Sequence, residues 1–133
     1  MRTIIGLACA ALLVTAAAAQ TGRDDRSGLE RAVAGRVAGQ PVRCVNLLPG
    51  ARSEVIAGEG IVYRVAGRVY VNRPERGAEL LNRDSILVNR QQVVTQRCRN
   101  DVVELFDNPS RIQRGFVVLG DFVPYTRGSR PRT

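Results

Sequence analysis

The sequence predicts an α+β fold, mainly β, with one short N-terminal helix packed on an antiparallel sheet or small partly closed barrel. Three observations carry this. Only one stretch places apolar residues at helical spacing, the residues after Val42 fall into short β-branched runs broken by Gly, Pro and Asn, and no linker divides the chain.

Residues 1–19 have the layout of a cleavable signal peptide. Arg2 supplies one positive charge, Ile4 to Ala19 carry none, and Ala16 to Ala19 present the small side chains that signal peptidase reads. The run is rich in alanine and too weakly apolar for a membrane anchor, which needs roughly 20 strongly apolar residues. Cleavage after Ala19 removes 19 of 133 residues, leaving 114, and takes Cys9 and the charge of Arg2 with it. One domain fits that length, in a periplasmic or secreted setting without a transmembrane segment after processing.

Residues 20–27 read as a flexible lead-in that ends with Asp25 or Ser27 capping a helix. Leu29, Val33 and Val37 then recur on one helical face, and Gly39 with Pro41 supplies a stop. Arg52 to Ile56 reads as a strand leading into the turn Ala57 to Gly60. Ile61 to Val65 and Arg68 to Asn72 flank Ala66-Gly67 as a two-residue hairpin, with one face apolar and the other carrying Arg64 and Val62. Tyr63 and Tyr70 read as cross-strand packing rather than a stacking platform. Arg73 to Arg83 is a loop with a turn of helix around Ala78 to Leu81. Ser85 to Asn89, Val93 to Thr95 and Asp101 to Asp107 are further strands. Gly115 to Val123 reads as one last strand ended by Pro124, and 126–133 as a disordered basic tail, so that 28–125 forms the folded domain.

Cys44 and Cys98 are the two cysteines left after processing and predict a structural disulfide, since a redox pair is normally spaced far more closely. The other chemistry is narrowed by absence. All 20 basic residues are arginine, and there is no lysine, histidine or tryptophan. Histidine-dependent nucleophilic catalysis and lysine Schiff bases are therefore excluded. No metal or cofactor is expected, because zinc ligands are lacking and no phosphate loop or dinucleotide turn occurs. Paired carboxylates remain as a source of hydrolysis, with Glu54, Glu59, Asp84, Asp101, Glu104, Asp107 and Asp121 as candidates, although they also read as surface acids among arginines.

Residues 35–44 (Gly35-Arg36-Val37-Ala38-Gly39-Gln40-Pro41-Val42-Arg43-Cys44), the hairpin Tyr63 to Asn72 and the end Gly115 to Tyr125 resemble a family of small exported alphaproteobacterial proteins. The resemblance implies a periplasmic or outer-envelope setting and brings no activity with it. Members of that family often have an additional cysteine pair near the positions of Arg76-Gly77 and Gly115-Phe116, which this chain lacks.

The sequence thus points to a non-enzymatic periplasmic binding or structural module with affinity for anionic envelope surfaces. The formal charge of +8 falls to +7 after processing, and Arg127, Arg130 and Arg132 in the tail are the candidate contacts. The expected partner is anionic envelope lipid or an envelope protein; nucleic acid is not expected physiologically. The alternative is a carboxylate-dependent hydrolase acting on envelope polysaccharide. A third reading is an inhibitor presenting Arg73 to Arg83 as an exposed loop.

Overall fold

The computed structural model describes residues 26–47, 50–89 and 95–128. Helix α1 spans Gly28–Ala32 and is held at its start by a capping box, in which the Ser27 hydroxyl accepts from the Glu30 amide and the Glu30 carboxylate accepts from the Ser27 amide. It is shorter than the apolar spacing predicts. Gly35 adopts a φ of 74°, which turns the chain out of the helix, and Arg36–Ala38 becomes strand β1. Val37 leaves the helical stripe as a result and is exposed.

Nine further strands follow: β2 Cys44–Asn46, β3 Arg52–Ile56, β4 Gly60–Val65, β5 Arg68–Asn72, β6 Ser85–Val88, β7 Gln96–Cys98, β8 Val102–Asp107, β9 Gln113–Val118 and β10 Phe122–Arg127. They form a five-stranded sheet in the order β1-β10-β5-β4-β3, a three-stranded sheet β6-β8-β9 and a ribbon β2-β7, all antiparallel. The sheets stay open, so the fold is the sheet form of the expectation rather than a closed barrel.

The β4-β5 hairpin forms as predicted. Ala66 and Gly67 both take positive φ, 47° and 77°, as a tight two-residue hairpin of matching twist requires. Alanine is strained there, by about 1 kcal/mol. Ala66→Asn, which tolerates the left-handed region, is expected to raise stability by about that amount in urea unfolding.

One face of the five-stranded sheet packs on the three-stranded sheet. Ile61 and Tyr63 of β4, Phe122 of β10, Val103 and Leu105 of β8 and Val117 of β9 meet there, with Val45 of β2 and Leu81. Tyr63 lies opposite Tyr70 and stacks obliquely on Phe122 at 5.7 Å between ring centres; burial pushes its hydroxyl up to about 12. The other face, which carries Val62 and Arg64, is covered by α1, as the expected packing of helix on sheet requires. Leu29 packs on Val62, Val69 and Val71, flanked by Ile56 and Tyr125. The result is three layers: helix, five-stranded sheet, three-stranded sheet. The outer face of the last layer carries Val102 and Phe116, each about half exposed at 48% and 53%.

The predicted last strand is two strands in two sheets. β9 ends at Val118, the chain crosses through Leu119 to Asp121, and β10 begins at Phe122. Pro124 lies inside β10 instead of ending it. Its carbonyl accepts from Gly39, so its missing N–H falls on the same outer side and costs no bond to β5. The tail is corrected in the same way: Thr126 and Arg127 belong to β10 and pair with Val37 and Arg36. The strand placed at Val93 to Thr95 lies partly outside the described residues; the ordered pairing there is β7, three residues further on.

Candidate functional site

Cys44 and Cys98 are direct partners in the β2-β7 ribbon, with sulfur atoms 2.11 Å apart and Cα atoms 4.0 Å apart. The neighbouring Arg43 carbonyl accepts from the Arg99 amide, which places the cysteines at a position without ladder hydrogen bonds, where paired residues approach most closely. The disulfide predicted from composition is thus a clamp on a short ribbon.

Most of the candidate carboxylates are held by a partner, and Glu54 and Glu59 line one groove. Asp101 accepts from the Cys98 amide, Asp121 pairs with Arg99 at 3.2 Å, Asp107 accepts from the Ser110 hydroxyl, and Asp84 is exposed in a turn. Glu54 pairs with Arg64 at 3.4 Å. Glu59 accepts from the Gly28 and Leu29 amides at 2.8 and 3.2 Å, fastening α1 to the β3-β4 turn. These two bonds hold its carboxyl below the ordinary value of 4.5. That is the reverse of the raised value a glycosidase acid requires. Among the described residues no cluster of His, Cys, Asp and Glu could hold a metal ion.

Glu59 therefore reads as a tether, and its effect on stability has a definite sign. Because its folded value is lowered, its contribution is complete above pH 4.5 and disappears as pH falls through the folded value. Glu59→Gln is expected to lower the melting temperature at neutral pH, with a deficit that shrinks under acid; parallel melts from pH 7 to 2 check this.

Arg73 to Arg83 is a surface loop with most of its side chains exposed, fastened to the body at several points. The Glu75 amide donates to Val118, Arg76 bridges Val118, Ala78–Leu80 forms a 3-10 turn and Leu81 is buried in the core.

The arginines gather in a way that their even spacing in the chain conceals. Arg64 shares a sheet face with Val62, two residues away, and so faces the α1 side. Arg52 of β3 stands directly opposite it. Across the sheet, Arg127 shares the face of Tyr125, and Arg36 of β1 stands directly opposite Arg127. Two arginine–arginine cross-strand pairs therefore lie on one face of one sheet. Five strands spaced at about 4.8 Å make this row roughly 19 Å across. Like charges placed opposite one another oppose folding. Of the four, Arg64 has a carboxylate partner and Arg36 donates to the Tyr125 carbonyl at 3.5 Å.

Of the three tail arginines only Arg127 falls within the described residues; Arg130 and Arg132 lie outside them. Arg36, Arg52 and Arg64 were not singled out from sequence. The available signal was arginine at alternate strand positions, as in Arg52 and Glu54 or Val62 and Arg64, but pairing register alone brings them together.

A groove of about 990 Å³ lies beside this row, between β3 and β6 and under the α1 end. Its walls include Arg31, Arg64 and Arg83 with Glu54 and Glu59. No helix among the described residues is long and apolar enough to cross a membrane. Comparison with protein-family models, with curated proteins and with solved structures finds no match.

Proposed function

We propose that the protein is a non-enzymatic module of the cell envelope that binds anionic surfaces through the α1-side face of its five-stranded sheet. The observation that carries this reading is the doubled arginine pair, Arg36 with Arg127 and Arg52 with Arg64, on one face. An arrangement that opposes folding is relieved when phosphate or carboxylate groups bridge the guanidiniums, and guanidinium suits such bidentate contacts. The disulfide is compatible with an oxidising compartment, and the periplasm is the setting this reading implies.

Arg127 ends β10, so Arg130 and Arg132 follow within a few residues of the paired arginines. Truncation after Gly128 keeps β10 whole while removing both.

The test is sedimentation of residues 20–133 with anionic and with zwitterionic vesicles over a salt series. Binding is expected on anionic vesicles only and should weaken steeply with salt. Each arginine contributes about 1 kcal/mol at such a surface, so Arg36→Ser with Arg127→Ser should weaken binding about 30-fold. Absence of binding at low ionic strength, or binding indifferent to these substitutions and to the truncation, would refute the proposal.

A further inference from the structure

We infer that the groove between β3 and β6 accepts an acidic peptide in extended conformation as an added strand. This goes beyond surface binding and uses a neighbouring part of the molecule, which shares Arg64 with the arginine pairs. Both walls are sheet edges: β3 is the last strand of the five-stranded sheet and β6 the last of the three-stranded one. Each pairs on one side only, β3 with β4 and β6 with β8. Alternation turns the amides and carbonyls of Ser53 and Val55 on β3 and of Leu87 on β6 outward, and among the described residues no other backbone group bonds to them. Outward backbone donors and acceptors of both edges thus border one channel, which is the arrangement that strand addition exploits.

The size fits. A strand the length of β3 extends about 17 Å at roughly 3.3 Å per residue, and the groove volume of about 990 Å³ holds such a segment with its side chains. Proline and bulges, two of the usual protections against pairing, are absent from β3 and β6, and what guards the edges is their shortness and the charges of Arg52 and Glu54.

The lining selects the guest. Arg31 and Arg83 border the groove without a carboxylate at ion-pair distance among the described residues. Glu54 is engaged by Arg64 and Glu59 by the helix amides. Val55 and Leu87, which pack against the core, provide apolar contact on the inner side. An added strand would therefore place acidic side chains toward Arg31, Arg64 and Arg83 and small apolar ones toward Val55 and Leu87, alternating with the pleat.

The probe is an end-blocked, fluorescein-labelled hexapeptide alternating glutamate and valine, followed by anisotropy on the mature chain, with amide exchange of Val55 and Leu87 read by NMR. Saturable binding is expected, with slowed exchange at those edges. Arg31→Ser with Arg83→Ser should weaken it about tenfold. A version N-methylated at alternate residues should lose binding because its backbone donors are gone. Arg36→Ser with Arg127→Ser should retain peptide binding while losing vesicle binding, so failure of one proposal is distinguishable from failure of the other. No binding of the glutamate–valine peptide, equal binding of the N-methylated peptide, or equal binding of a lysine–valine peptide would overturn the inference.

Discussion

Replacing both Cys44 and Cys98 by serine is expected to lower the folding free energy by about 4 kcal/mol, the chain-entropy value for a loop of this length; the bond spans 54 residues. The reason is local as well as entropic. The β2-β7 ribbon has three paired positions, and an isolated two-stranded ribbon is marginal in water. The ribbon's anchor to the core is Val45, 5% exposed, with Leu47 packed against the same cluster. Without the bond β2 and β7 are held together by three paired positions alone, and their separation loosens the packing of Val45 in the core. A loss of this size takes a large share of the ~5–15 kcal/mol that a small domain commands. Urea unfolding of the double variant, and of the parent with reductant, should show the same fall in midpoint. A change below about 1 kcal/mol would mean that packing of Val45 holds the ribbon by itself.

Asn72→Ala is expected to cost about 3 kcal/mol through two abandoned backbone groups. Asn72 is the buried polar residue of the described core, fully inaccessible at the end of β5. Its amide nitrogen donates to the Gly120 carbonyl at 2.8 Å, and its amide oxygen accepts from the Gly120 N–H at 3.0 Å. Gly120 lies where the chain leaves the three-stranded sheet for the five-stranded one, so it has no strand neighbour of its own there. The asparagine side chain thus replaces a missing strand. Removing it strands a donor and an acceptor away from water, and each costs about 1–3 kcal/mol. Asn72→Leu separates this from loss of volume: it restores size without hydrogen bonds and should be as damaging as alanine in chemical denaturation. Stability close to the parent for the leucine variant would show that packing, not hydrogen bonding, is what the site needs.

Where local signals were strong, the fold was legible. The Ala66-Gly67 hairpin, the strand over 102–107, the 3-10 turn at Ala78–Leu80 and the Ser27 cap all follow from residue types within a few positions of one another. Where two readings shared one pattern, reading failed. Leu29, Val33 and Val37 match a helix, yet Gly35 breaks it and Val37 joins a sheet whose other strand lies about 90 residues away. Gly115 to Val123 is apolar except at Asp121 because two different sheets bury it in turn, and periodicity does not mark the crossing at Gly120.

The candidate site shows the same division. Composition by itself determined the excluded chemistries, since a chain without histidine or lysine lacks the groups those mechanisms need, and it pointed to the cysteine pairing, since residues 20–133 contain two cysteines. It also determined a strongly basic surface. Tertiary structure alone decided where that charge goes. Arginines at positions 36, 52, 64 and 127 become two opposed pairs because hydrogen-bond register aligns strands far apart in sequence, and a shift of one residue would turn either pair to the other face. The same holds for the open channel between β3 and β6, because an unpaired edge is defined by the strand that is not beside it, and no residue in the edge strand itself records that.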